Sequence, residues 1–208
     1  MSNFRYVRPD GFPPVVKNLI IINVLFFVVQ MMFDKEYAIT ARFALYPVTE
    51  PEFEPYQFFT HMFSHANIPH ILFNMFNLWM FGRILENVWG AKRFLIFYLA
   101  CGIGAAIAFL LQQYFTDGYA SAVGASGAVM GLLVAFGYLF PNTELMLMFI
   151  PFPIKAKWLM TGLVAIDVFG GFSNSPGDNI AHFAHLGGAL TGFIIVFIWN
   201  KTNRKTLY

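Results

Sequence analysis

The sequence predicts an all-α membrane protein, a bundle of six transmembrane helices with a short, centrally placed fourth helix. Three observations lead there. The chain is 58% hydrophobic and 19% aromatic but only 12% charged, where soluble domains carry about 25% charged residues. Six apolar segments can be drawn along its 208 residues. Basic residues gather on alternate connections between them.

In the first segment, Val16 to Phe33, the apolar stretch Leu19 to Phe33 follows Arg5, Arg8 and Lys17 as in a signal peptide, but Asp34-Lys35-Glu36 comes next instead of small residues suited to cleavage. It reads as a retained span. The long connection from Asp34 to Thr60 holds Phe43, Leu45, Tyr46, Phe53, Tyr56, Phe58 and Phe59, too apolar for a solvated linker, and is expected to fold back into the outer leaflet. The second and third segments, Pro69 to Trp89 and Phe94 to Phe115, have the roughly 20 residues that a helix needs to cross about 30 Å of hydrocarbon. The fourth, Ser126 to Phe140, reaches only about 22 Å at 1.5 Å per residue. Ser126 is therefore expected roughly 8 Å below the outer surface, where irregular backbone survives only if protein buries it or water reaches it. The run Leu145 to Ile154, broken by Pro151 and Pro153, is too short to span and is expected at the inner interface. Trp158 to Gly171 and Asn179 to Trp199 complete the six.

An even count puts both ends on one side. Arg5, Arg8, Lys17, Arg83, Lys92, Arg93, Lys155, Lys157, Lys201, Arg204 and Lys205 are 11 of the 13 basic residues, and a six-span topology places them all on one face. That face is expected to be cytoplasmic. The expected organisation is a cytoplasmic amino tail over 1–15, the membrane domain over 16–199 and a cytoplasmic carboxyl tail over 200–208, in a bacterial inner membrane. A net charge of +2 without a basic run interleaved with aromatics argues against nucleic acid as a partner. The lone Cys101 excludes an internal disulfide.

Chemistry centres on Gly124-Ala125-Ser126-Gly127 at the head of the fourth segment. A serine hydroxyl is a weak nucleophile without an adjacent base. His185 in the sixth segment is the candidate, since an ionisable residue inside a span is costly and by default functional. Gly188 and Gly192 on that segment, and Gly127 with Gly131 on the serine segment, give two small-residue faces that let helices approach closely. The unpaired N–H groups at the start of the fourth helix can stabilise an oxyanion, and His70 and Asn74, four apart on one helical face, can add side-chain donors.

Each residue also has a plainer reading. Ser126 alone is a small packing residue, His70 an interfacial group and Asn74 an interhelical hydrogen bond. His182, one turn nearer the surface than His185, is expected at the cavity rim. Asp167 would complete a triad with His185, but is expected as a polar group at the outer end of the fifth helix, because reaching the imidazole requires the following loop to fold back. Glu86 and Arg83, three apart, are expected to form an ion pair. His61, His65 and His70 lie within ten residues, yet no carboxylate or cysteine joins them and no HExxH occurs, so the reading is against a metal or other cofactor. Ala128, two after the serine, excludes the hydrolase elbow motif.

Together G-A-S-G at 124–127, H-I-L-F-N at 70–74 and A-H-L-G-G-A-L-T-G at 184–192 resemble the rhomboid family of intramembrane serine proteases, as do F-T-H-M-F-S-H at 59–65 and Glu86 with Gly90. The resemblance implies a serine–histidine dyad without an aspartate. Ser126 would be the nucleophile and His185 the base and then acid, with His70, Asn74 and the Ser126 N–H as oxyanion hole. Gly124 and Gly127 would keep loop and helix tight, and Gly188 and Gly192 would press the sixth helix onto the fourth. It implies no cofactor, and as partners other membrane proteins, cut in or near a transmembrane helix within the lipid bilayer. Two departures stand out. Tyr56 and Gln57 occupy the place of a Trp-Arg pair that anchors the first loop in many rhomboids, and Met130 stands where a tyrosine often stacks on the histidine. The alternative readings are a catalytically inactive rhomboid-like protein that binds transmembrane clients, and a small transporter. The fifth segment, followed by the loop 170–177, is the expected substrate gate, with the first-loop aromatics as its rival.

Overall fold

The computed structural model describes residues 10–146, 152–173 and 181–202. The sequence-expected tails before 10 and beyond 202, the middle of the 145–154 run, the second half of the 170–177 loop and the start of the sixth segment at 179 lie outside the described residues.

Helix α1 (Pro14–Tyr37) begins with proline at its first position, where the missing N–H costs nothing. Short helices α2 (Ile39–Phe43) and α3 (Gln57–Thr60) lie in the first long connection, followed by a 3₁₀ turn at His61–Phe63. Helical backbone then runs without a break from Ile68 to Trp89, as α4 (Ile68–Asn77), one π turn at Leu78–Gly82 and α5 (Arg83–Trp89). Gly90 at φ 78° ends it and starts α6 (Ala91–Thr116). Helix α7 (Ser126–Leu139) follows, then strands β1 (Glu144–Leu145) and β2 (Ile154–Lys155), α8 (Ala156–Phe172) and α9 (His182–Thr202).

Helices α1, α6 and α9 are each long and apolar enough to cross a membrane, and α7 is a shorter apolar helix. Their surfaces are inverted relative to a soluble protein. Large apolar side chains face out, among them Met32, Phe73, Phe115 and Phe169, while Asn23, Gln30, Gln57, Asn74, Glu86 and Asp167 are buried. An apolar exterior of this extent marks contact with lipid, and the molecule is an integral membrane protein of mainly helical architecture.

The interior is built around α7, whose residues Gly127 to Leu133 are all buried. It packs against α6, α8 and α9, and the main core runs from Val16 and Leu19 of α1 through Leu78, Phe81 and Phe97 to Ala128, Leu132 and Phe136. Glycine sets the closest approach. A Cβ on Gly188 would overlap the Gly127 carbonyl, and one on Gly192 would lie 2.7 Å from the Gly131 Cα. Helices α7 and α9 therefore touch backbone to backbone.

The ends of the 145–154 run pair as antiparallel strands, Glu144 with Lys155 and Leu145 with Ile154. One sequence expectation is corrected here. Glu86 does not pair with Arg83 among the described residues. Its carboxylate accepts from the Val15 and Val16 N–H groups at 3.0 and 2.8 Å, capping the N-terminus of α1, while the Arg83 guanidinium sits 4.6 Å over the Trp79 ring. A helix N-terminus carries unpaired donors and partial positive charge, so a buried carboxylate finds a better partner there than in a solvated arginine three residues away.

Tyr56 and Gln57, in the place of the Trp-Arg pair, make anchoring bonds of their own in the first loop. The Gln57 side chain is 1% exposed. It donates to the Glu52 carbonyl at 2.8 Å and accepts from the Tyr46 N–H at 3.2 Å, and the Tyr56 hydroxyl donates to the Arg42 carbonyl at 3.2 Å. An amide carries both donor and acceptor, so one neutral side chain ties two stretches of the loop without burying a charge.

Replacing Glu86 with alanine strands two helix N–H groups, that of Val16 buried and that of Val15 part-buried. We expect a loss of about 3 kcal/mol, read as a lower unfolding temperature in detergent, with Glu86→Gln losing less because one acceptor remains. Equal midpoints for all three proteins would contradict the capping role.

Candidate active site

The loop before α7 is tied down at several points. Leu45 and Ala122 exchange backbone hydrogen bonds at 2.9 Å each way, the Gly124 N–H donates to the His61 carbonyl at 2.8 Å, and the Gln113 side chain accepts from the Ala120 N–H at 3.1 Å. His61 is itself fixed, its Nδ1 2.7 Å from the Gln57 carbonyl. Burial pushes the His61 imidazole down to about 4, so at neutral pH it is an uncharged donor to that carbonyl. Gly124 has φ 117°, in the left-handed region that favours glycine, and a Cβ there would lie 2.6 Å from His70 Nε2 and 3.6 Å from Asn74 Nδ2. Conformation and space both demand glycine at this position.

The chain then turns into α7 with Ala125 at the cap and Ser126 as its first residue. The first intrahelical bond is made by Val129 N–H to the Ala125 carbonyl, and no side chain caps this end. The N–H groups of Ser126, Gly127 and Ala128 thus form the donor end of the helix. Gly127 lets two helices close in, since a Cβ would overlap Ala105 of α6 and come 3.4 Å from the Ala184 carbonyl of α9. That approach puts His185, the next residue of α9, beside the serine, with His185 Nε2 2.8 Å from Ser126 Oγ. The two residues are 59 apart in the chain.

His70 and Asn74 sit on α4 facing the same loop. Asn67 caps that helix, its side chain accepting from the His70 N–H at 2.9 Å. His70 Nδ1 accepts from the Ala66 N–H at 3.4 Å, which leaves the ring proton on Nε2, the atom nearest Gly124. Asn74 is 4% exposed, and its Nδ2 has no hydrogen-bond partner among the described residues. Buried donors are rarely left unpaired, and doing so costs about 1–3 kcal/mol. His65 packs edge-on against His70, ring centroids 5.1 Å apart. A cavity of about 20 Å³ lies behind the serine, lined by Leu45, His61, Phe109 and Ala122 with Ser126 and Gly127, large enough for about one water.

The arrangement brings Ser126, His185, His70 and Asn74 to one place, with Gly124, Gly127 and Gly188 at the contacts between their elements. Gly192 lies one turn further along α9. Met130 is buried in the core. Two expectations are overturned. Asp167 does not stand apart at a helix end, because its Oδ1 is 3.0 Å from His185 Nδ1. His182 is not a rim group; it is 7% exposed, with Nδ1 2.7 Å from the same oxygen. The signal for both was available in the sequence, since the cost of an ionisable group in a span applies to Asp167 as much as to His185.

Comparison with known proteins gives the chain's family. The family model described as Rhomboid domain matches residues 52–202. The mitochondrial Presenilin-associated rhomboid-like protein of Bos taurus is 32% identical over 151 residues, 70% of this chain and 39% of that protein. Two Arabidopsis thaliana proteins match over 70% of the chain, the chloroplastic Rhomboid-like protein 11 at 34% identity and the mitochondrial RHOMBOID-like protein 6 at 35%, covering 53% and 44% of their lengths. The chain thus spans about half or less of the curated relatives it matches. By the family match and by these relatives, the chain belongs to the rhomboid family.

Proposed function

We propose that this protein is an intramembrane serine endopeptidase that cleaves transmembrane helices of other membrane proteins. The observation that carries the reading is the 2.8 Å contact between Ser126 Oγ and His185 Nε2, made between two apolar helices. In this reading His185 takes the hydroxyl proton as Oγ bonds to the scissile carbonyl carbon. It then returns that proton to the leaving amine as the C–N bond breaks, and water repeats the sequence to release the acyl group. The oxyanion meets the Ser126 N–H, Asn74 Nδ2 and His70 Nε2–H. An unpaired buried amide is the expected resting state of a donor reserved for a transition state. The small cavity beside the serine gives the hydrolytic water a place inside an apolar bundle.

The stretches 14–37, 68–89, 91–116, 126–139, 156–172 and 182–202 are, in this reading, six spans. Helix α7 is the short central one, which sets Ser126 below the outer surface. The membrane domain covers 16–199, with tails 1–15 and 200–208 on the cytoplasmic side of a bacterial plasma membrane, following the basic connections. The mitochondrial and chloroplastic locations in the relatives' names belong to those proteins. Substrates are bilayer-embedded segments, and no metal or nucleic acid takes part.

A fluorophosphonate probe should label the purified protein in lipid, and Ser126→Ala and His185→Ala should each abolish labelling. A well-folded wild type that never labels would shift the reading to a client-binding protein without catalysis. Asn74→Ala should keep probe access but lower kcat on a transmembrane peptide about 10²–10³-fold, measured by single-turnover cleavage. An unchanged kcat would remove Asn74 from the oxyanion site.

A further inference from the structure

Of the 17 residues in α8, only Ala156, Met160 and Asp167 are buried. Its flanks at Ile166 and Phe169 are 63% and 76% exposed, so a carboxylate at the buried position is the one polar group this helix sends inward. A charge at that depth persists only where partners hold it. Here one oxygen, Oδ1, meets two imidazoles, His182 Nδ1 at 2.7 Å and His185 Nδ1 at 3.0 Å.

That shared oxygen has a consequence for protons. An ionised carboxylate can only accept, so both Nδ1 atoms must donate. His185 then carries its proton on Nδ1 and presents a bare Nε2 to the Ser126 hydroxyl, the form a general base requires. When Nε2 takes the serine proton, the new imidazolium faces a carboxylate already in place. A second feature of α8 supports the same assembly. Gly170, one turn beyond Asp167 on the same face, lies against the His182 ring, and a Cβ there would overlap its Cε1 and Nε2. Helix α8 supplies both the carboxylate and the gap that admits the second histidine.

We propose that Asp167 is a positioning residue for the hydrolytic reaction. It fixes His185 in the Nδ1–H tautomer and aims Nε2 at Ser126, while His182 holds the carboxylate on that line. The proposal rests on the reading of Ser126 and His185 as the reacting pair. Asp167 neither gains nor loses a proton during turnover.

The test uses full-length protein in lipid nanodiscs and the kinetics of fluorophosphonate labelling. Asp167→Asn can donate to Nδ1 through its amide and select the opposite tautomer. We expect its maximal labelling rate to fall about 100-fold with the probe's half-saturation unchanged, and Asp167→Glu to recover part of the loss. A wild-type rate in Asp167→Asn, alongside complete loss in Ser126→Ala and His185→Ala, would overturn the positioning role and leave the hydrolase reading standing. Absence of labelling in wild type would bring down both. If Asp167→Asn does not fold, ¹⁵N-histidine NMR of the wild type decides: a His185 signal protonated on Nδ1 supports the proposal, and one protonated on Nε2 overturns it.

Discussion

The contact on which the site depends is the meeting of α7 and α9 at bare backbone, Gly127 against Gly188 and Gly131 against Gly192. Lipid offers helices no hydrophobic reward for associating, so dispersion at close range and interhelical hydrogen bonds must hold them. With a side chain at either glycine the axes would separate by more than the hydrogen bond between Ser126 and His185 can stretch. The same closeness fixes where the serine is along the membrane normal relative to the first turn of α9. Close packing and reaction geometry are here one requirement.

A second layer of restraint comes from outside the helices. The first loop bonds to the loop before α7 through Leu45 and Ala122, and through His61 and Gly124, while the buried Gln57 amide ties the loop to itself and the Gln57 carbonyl holds His61 Nδ1. Helix α4 then lays His70 and Asn74 over Gly124. Three separate stretches of chain thus converge on one glycine whose backbone conformation no other residue adopts easily.

Much of this could be read from the sequence. Helix extents followed from apolar runs, and Ser126, His185, His70 and Asn74 were singled out by their place within those runs. Asp167 and His182 were set aside because they were judged by position along their own helices. What joins them is the docking of α8 against α9, a relation between residues 15 and 18 apart that no helical period encodes. Glu86 was misassigned for a similar reason: i, i+3 spacing suggested Arg83, whereas its partners lie 70 and 71 residues away. The role of Gln57 was not legible from the absent Trp-Arg pair, although one amide can satisfy both a donor and an acceptor.

The π turn at Leu78–Gly82 sits between α4, which carries His70 and Asn74, and α5, which carries Glu86. A wider turn adds one residue to the spiral and so offsets everything beyond it by about 100°. It works as a phase shifter. The half formed by α4 points its polar groups at the serine loop, and the half formed by α5 points its carboxylate at the start of α1. A regular α-helix of the same sequence would satisfy one of these alignments and rotate the other out of register, so a single-residue deletion in this turn would exchange chemistry for anchorage.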